Sequence, residues 1–155
     1  STNYSRILFC QGDEMSRPTW DQVWMSVAQT IAKRSVDPKY KMGAVIVSKD
    51  NTQVFAVGYN GDHAGGPNQR ESLETGGSGF LHAEINALIK CDYHATQPKI
   101  MYITSSPCRM CCKAIINAGI AEVVYGELYP HDISGLGLMR SSGITVRKFA
   151  SPVDN

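Results

Sequence analysis

The sequence predicts one α/β domain in which helices cover a mostly parallel sheet. Two observations indicate this class: a β-hairpin pattern precedes residue 60, and helical spacing alternates with short β-branched runs after residue 80. A chain of 155 residues can bury one sizeable core and is short for two separately folding domains. We expect residues 1–17 to be an N-terminal arm, in part vector-derived, and residues 18–155 to form the domain.

The first half of the chain predicts a helix, a hairpin and a long loop. Thr19 with Gln22 makes a capping-box pattern ahead of an apolar stripe, so a helix is expected through Arg34. Asp37-Pro38 ends that pattern. A strand over 43–47, a turn over 49–52 and a return strand over 53–59 follow. Residues 58–79 are rich in Gly, Asn, Asp and Ser, which marks a candidate functional loop.

The second half alternates regularly between helical and strand patterns. Apolar residues at helical spacing are separated from β-branched runs by short polar segments, as in chains that build parallel sheets. The predicted elements are helices at about 82–90, 108–118 and 133–140, and strands at 100–104, 123–125 and 144–149.

Charge and cysteine usage narrow the possible partners. The 15 Lys and Arg are scattered among 14 Asp and Glu, without the basic face of a polynucleotide binder. No apolar run has the length of a membrane span and no signal pattern opens the chain, so we expect a cytoplasmic protein without a membrane partner. Three of the five cysteines are Cys108, Cys111 and Cys112, a spacing typical of metal binding in a reducing compartment.

Two segments predict a catalytic zinc site. Cys108 and Cys111 fall on the first turn of a predicted helix, where the helix dipole favours the thiolates that bind Zn²⁺. His82 begins another helix and can be the third ligand, which leaves one position for water, as in catalytic sites. Because two thiolates offset the charge of the metal, the zinc should acidify its bound water less strongly. A nearby base is therefore needed to accept the proton of that water. Glu84 is the candidate proton shuttle.

The same residues also fit a structural zinc site or a redox dithiol. A structural zinc would need Cys112 or Cys91 as a fourth ligand, and a redox dithiol would leave the His-x-Glu segment at 82–84 without a role. We expect Cys112 to point away from the metal and to pack in the core. We expect Cys91 and Cys10 to pack in the core as well. The histidines at 63, 94 and 131 are expected at the surface, with His131 favoured for a pocket rim.

The His-x-Glu at 82–84 and the Pro-Cys-x-x-Cys at 107–111 form the signature of zinc nucleobase deaminases. From about Pro18 to Phe149 the chain resembles the cytidine and deoxycytidylate deaminase superfamily, most closely its deoxycytidylate branch. Other similar stretches are 17–21, 32–35, 43–47, 58–61 and 115–120. The chain departs from the family pattern over 62–67 and through Gly79.

This resemblance implies a three-layer α/β/α sandwich with a five-stranded mixed sheet in the order 2-1-3-4-5. It implies hydrolytic deamination of dCMP to dUMP, with Zn²⁺ held by His82, Cys108 and Cys111 and protons moved by Glu84. It also implies a homo-oligomer, hexamer or dimer, with dCTP and dTTP as effectors. The implied substrate contacts are Asn60 at the sugar and base, the backbone of Ala83 and Ser106 at the pyrimidine, Arg34 and Ser35 near the phosphate, and Tyr129 beside the sugar.

Several alternatives accompany that expectation. Arg34 could simply compensate a helix dipole, and Asn60 could serve a tight Asn-Gly turn. The substrate could be free cytidine or deoxycytidine, another base or a tRNA adenosine, although the missing basic face argues against tRNA. A zinc-binding module without turnover is the remaining alternative, which the presence of Glu84 disfavours.

Overall fold

A computed structural model describes residues 16–150 of the chain. Apart from its last two residues, the predicted N-terminal arm lies outside this range, as do Cys10 and residues 151–155. No helix within 16–150 is long and apolar enough to cross a membrane.

Four helices and five strands form the described part of the molecule. Thr19 caps the first helix and shares a reciprocal capping box with Gln22, as predicted, but the helix ends at Ala32 because Lys33 to Ser35 turn back onto its last carbonyls. The helices are α1 (Trp20–Ala32), α2 (Ala83–Ile89), α3 (Arg109–Asn117) and α4 (Ser134–Ser141). The strands are β1 (Gly43–Ser48), β2 (Val54–Tyr59), β3 (Lys99–Ser105), β4 (Glu122–Glu127) and β5 (Thr145–Lys148).

The sheet confirms the predicted order and its mixed character. Its strands run β2-β1-β3-β4-β5. β1 is antiparallel to both neighbours, whereas β3, β4 and β5 are mutually parallel. Since β2 also opposes β1, every strand except β1 points the same way. The carboxyl ends of β2 and β3 therefore meet at one edge, where ligands of open α/β sheets commonly bind.

Helices cover both faces of the sheet and complete the three-layer sandwich. Trp24, Met25 and Ala28 of α1 pack with Val45 and Val47 on one face. The opposite face packs against α2, α3 and α4 through residues that include Ala87, Ile115 and Met139. All six residues of β1 are buried, as expected for a strand covered on both sides.

Gly58 brings α2 onto the sheet. A Cβ at this position would collide with the carbonyl of Ala83 and the amide of Ala87, so only glycine allows the helix to lie this close to β2. The start of α2 is thereby held beside the carboxyl ends of β2 and β3. The start of α3, which follows β3, lies at the same edge.

Candidate active site

The three predicted zinc ligands come from two helix starts that meet at this edge. His82 is the N-cap residue of α2 and Cys108 is the N-cap residue of α3, and neither side chain makes a capping hydrogen bond. Cys111 lies in the first turn of α3 and is fully buried. Because neither N-cap side chain is used for capping, the imidazole and the thiol are free to face each other.

The donor atoms of these residues form one compact group. The Nδ1 atom of His82 is 3.2 Å from Sγ of Cys111 and 3.6 Å from Sγ of Cys108. All three donor atoms lie within 4.8 Å of one another. One imidazole nitrogen and two sulfurs are a donor set that Zn²⁺ prefers, so the residues present fit this metal.

The hydrogen bonds within the group shift its proton affinities in opposite directions. The bond from Cys111, with one from His82, lowers the pKa of the Cys108 thiol to about 4. The bonds to Cys108 and Glu84 raise the pKa of His82 to about 10. The bond with Cys108 and burial both raise the pKa of Cys111. His82 and Cys111 would have to give up these protons to hold a metal, since ligands must be deprotonated.

Glu84 lies next to this group without belonging to it. Its carboxylate Oε1 is 3.5 Å from Nδ1 of His82, and the residue is only 4% exposed. It occupies the first turn of α2, where the helix dipole favours a negative charge. A buried carboxylate beside three potential metal ligands can exchange protons with a molecule in the adjoining cavity.

A cavity of about 380 Å³ opens in front of the group. Of the residues predicted from sequence, its lining includes His82, Ala83, Glu84, Cys108, Asn60, Ser106 and Tyr129. Cys111 lies behind the lining. Arg34 and Ser35 are not part of it: Arg34 is exposed, and Ser35 is buried with its hydroxyl donating to the carbonyl of Asn60 at 2.9 Å.

The chain matches the model of one protein family over most of its length. The model of the cytidine and deoxycytidylate deaminase zinc-binding region matches residues 18–127. The chain belongs to the cytidine and deoxycytidylate deaminase family. This confirms the resemblance seen in the sequence, and the zinc-binding region of the family contains the His82, Cys108 and Cys111 cluster.

Comparisons with individual relatives extend this result. The chain is 34% identical to ComE operon protein 2 of Bacillus subtilis over 140 residues, covering 86% of this chain and 73% of that protein. It is 35% identical to the deoxycytidylate deaminase of Saccharomyces cerevisiae over 147 residues, covering 88% of this chain but only 46% of the yeast protein. Among solved structures, dCMP deaminase from cyanophage S-TIM5, in complex with dCMP and dUMP, superposes with a TM-score of 0.74. Its sequence identity is 29%, and the match covers 86% of this chain and 99% of that one.

In this member of the deaminase family, the backbone groups expected at the pyrimidine differ in availability. The amide of Ser106 already donates to the carbonyl of Glu127 at 2.8 Å, so its carbonyl is the backbone group left for a ligand. Ala83 is the first residue of α2, where amides lack an intrahelical acceptor. The hydroxyl of Ser106 accepts from the amide of Tyr129 at 2.7 Å and so fixes the two segments together.

The carboxamide of Asn60 is largely occupied by the protein itself. Its Oδ1 accepts from the amide of Met42 at 2.9 Å, and its Nδ2 donates to the carbonyl of Tyr40 at 2.8 Å. The same Nδ2 is 3.5 Å from Oδ2 of Asp37. Asn60 therefore holds the segment before β1 against the cavity, a role that neither sequence alternative included.

The deaminase cavity also contains residues that sequence reasoning missed. Arg70, from the long loop, lines it together with Asp37 and Tyr40. Asp132 lies at its rim, where its carboxylate accepts from the amide of Arg109 at 2.9 Å and so caps α3. The unusual length of the loop was a signal, but nothing local identified Arg70, the one arginine or lysine of residues 16–150 that lines the cavity.

The other cysteines and histidines of residues 16–150 lie where the sequence predicted. Cys112 is fully buried in the core, and burial raises the pKa of its thiol to about 12. Cys91 is half-buried against the same core. His63 has 72% of its side chain exposed and His94 is exposed, whereas His131 packs edge-on to Tyr129 at the cavity rim. The metal group includes none of them.

Proposed function

We propose that this protein deaminates dCMP to dUMP and releases ammonia, with His82, Cys108 and Cys111 holding one zinc ion. The observation that carries the proposal is the meeting of these three donors with Glu84 beside a single cavity, which His82, Glu84 and Cys108 line. The family membership and a relative solved with dCMP and dUMP favour this substrate over the alternatives.

The proposed chemistry assigns the proton transfers to Glu84. When bound, zinc supplies Lewis-acid activation of the attacking water. Glu84 accepts one proton from that water and passes it to the ring nitrogen, then accepts the second proton from the hydroxyl that has added to the ring carbon and passes it to the departing amino group. Oxygen adds to the ring carbon, the bond to the exocyclic nitrogen breaks, and ammonia leaves. The buried position of Glu84 keeps bulk water from competing for these protons.

The proposed substrate contacts follow from the groups that remain free. The amide of Ala83 donates to the pyrimidine, and the carbonyl of Ser106 accepts from its amino group. Tyr129 borders the sugar, and Asn60 shapes the sugar site, with Ser35 supporting it from behind through their 2.9 Å hydrogen bond. Arg34 is exposed and lies outside the cavity lining. It is the phosphate contact that the family resemblance implies.

The test is turnover by the zinc-loaded protein on three substrates. dCMP, deoxycytidine and an adenosine-containing anticodon stem are incubated in parallel, and ammonia and deaminated product are quantified. We expect dCMP to give the highest kcat/KM. Turnover of only the other two would refute the proposed substrate, and no turnover of any would refute the activity.

We also propose that this enzyme is a cytoplasmic homo-oligomer, hexamer or dimer, that responds to dCTP and dTTP, with residues 18–155 as its single domain. The family resemblance supports the assembly and the effectors. The four free thiols in the described part of the chain, Cys91, Cys108, Cys111 and Cys112, support a reducing compartment. Light scattering of the purified protein with and without each nucleotide tests the assembly and its response.

A further inference from the structure

A phosphorylated substrate needs a cationic partner in the cavity. dCMP differs from deoxycytidine by a phosphate, which proteins bind best with guanidinium groups or with oriented N–H donors. Arg70 is the only arginine or lysine that lines the cavity within residues 16–150. The remaining cationic candidates are His82, which belongs to the metal group, and His131, which is exposed at the rim.

The guanidinium of Arg70 is held rigidly by the protein. Nη1 donates to Oδ2 of Asp37 at 2.7 Å, Nε donates to the carbonyl of Ser72 at 2.9 Å, and Nη2 donates to the carbonyl of Glu74 at 3.1 Å. The side chain of Arg70 is 4% exposed and that of Asp37 is 2% exposed. Since each terminal nitrogen carries two hydrogens, one N–H on Nη1 and one on Nη2 remain for a ligand.

The location of Arg70 suits the 5′ end of a nucleotide. Oδ2 of Asp37 is shared by Arg70 and by the Asn60 amide, which we have placed at the sugar. Arg70 also lines the same cavity as Tyr129, the second residue proposed at the sugar. The same loop adds Thr75 and Ser78 to the lining, and their hydroxyls are further donors for a phosphate.

We propose that Arg70 recognises the 5′-phosphate of the substrate and determines the preference for nucleotide over nucleoside. This inference rests on the proposed deamination of dCMP. Asp37 is then a positioning residue: it aligns the guanidinium and compensates its charge while the cavity is empty of substrate. The phosphate contact thus moves from Arg34, where the family resemblance puts it, to the loop in which this chain departs from the family pattern.

The test compares kcat/KM for dCMP with kcat/KM for deoxycytidine in Arg70→Gln. We expect the ratio to fall about 10- to 100-fold, because the charge-assisted hydrogen bonds to the phosphate are lost. Deoxycytidine is the internal control, because its turnover needs the metal group and Glu84 but no phosphate contact. Since Arg70→Gln leaves the buried Asp37 carboxylate unpaired, Asp37→Asn combined with Arg70→Gln is measured as well.

Lys113 is an exposed cation on α3 outside the cavity lining. Lys113→Gln is therefore the matched control and should leave the ratio unchanged. The proposal is overturned if the double variant keeps the parent ratio. It is also overturned if both substrates lose activity equally or if neither variant folds, because Arg70 would then have only a structural role. A fall in the ratio for Arg34→Gln with none for Arg70→Gln would also overturn it. Absence of turnover by the parent on both substrates would instead refute the proposed function.

Discussion

At the scale of residues, His82, Cys108 and Cys111 supply three donors, one short of the four that a structural zinc requires. Cys112, the nearest candidate for a fourth, is turned into the core, where its thiol lies 3.6 Å from the carbonyl of Pro107. Glu84 stands beside the group as a carboxylate outside the donor set. This division between ligands and a base is what catalysis of hydrolysis requires.

Glu84→Ala should separate metal binding from turnover. The variant keeps all three ligands, so we expect about one zinc per chain, with kcat lowered about 10²- to 10⁴-fold because the proton shuttle is lost. Atomic absorption and ammonia release measure the two quantities. Glu127→Ala, an exposed residue at the end of β4, is the control. Parent-like activity in Glu84→Ala would remove its catalytic role.

Cys108→Ala should lose both the metal and stability. Metal binding is coupled to folding, so removal of a ligand should lower the melting temperature by at least about 3 °C, as expected for about 1 kcal/mol. Calorimetry with metal analysis tests this. Cys91→Ala should retain the zinc, because that half-buried cysteine lies outside the metal group. A zinc content near one per chain in Cys108→Ala would contradict the ligand assignment.

The ligands and the base could be predicted from the sequence because each is tied to a local signal. A His-x-Glu and a Cys-x-x-Cys at helix starts specify both the residue types and their spacing. Arg70 could not be predicted in this way, because its partner Asp37 is 33 residues away and has a separate local meaning, the end of a helix. Only the folded loop shows that the two form a pair.

At the scale of elements, the site depends on how closely α2 approaches β2. The elements themselves were predicted within one or two residues, since caps and apolar spacing are local properties. The close approach at Gly58 was not predicted, because a glycine in a strand can equally mark a bulge or a turn. It is the contact partner, the backbone of Ala83 next to His82, that gives this glycine its role.

Gly58→Ala should therefore shift α2 and weaken the site. The added methyl group overlaps backbone atoms that cannot rotate away, so we expect a loss of about 1–3 kcal/mol in the free energy of unfolding. We also expect reduced zinc affinity, since His82 begins this helix. Chemical denaturation and zinc titration measure the two effects.

Gly137→Ala is the matched control for that experiment. This glycine lies within α4 and a Cβ there would meet open space, so alanine should stabilise the protein by about 1 kcal/mol. Equal stability effects of the two substitutions would show that the approach of α2 to β2 is not the tight contact described.

At the scale of the whole molecule, a charged network ties α1 to the far edge of the sheet. Arg147 of β5 donates from Nη2 to Oδ1 of Asp21 at 3.0 Å and from Nε to Glu122 at 2.6 Å. The hydroxyl of Tyr102 donates to Oδ1 of Asp21 at 2.6 Å. The network joins Asp21 and Arg147, which are 126 positions apart in the chain, so it forms only when α1 and β5 are both in place.

The network should make stability fall at acid pH. The hydrogen bond from Arg147 lowers the pKa of Asp21 below its ordinary value of 3.8. A lowered folded-state pKa gives stabilisation that is present above the ordinary value and is lost as pH falls through the folded-state value. Because both side chains are partly exposed, we expect no more than about 1 kcal/mol.

Unfolding of Asp21→Asn as a function of pH checks this expectation. The variant should be less stable than the parent at pH 7, and the difference should shrink as pH falls below 4. Asp92→Asn, an exposed residue in the turn before β3, should show no such difference. A gap between parent and Asp21→Asn that stays constant down to pH 2 would contradict the role of the ion pair.

The most direct measurement of the central claim is X-ray absorption at the zinc edge of the purified, zinc-loaded protein. A single ion held by His82, Cys108 and Cys111 predicts two sulfur scatterers at roughly 2.3 Å and two nitrogen or oxygen scatterers at roughly 2.0–2.2 Å. Any number of sulfur scatterers other than two would contradict the account.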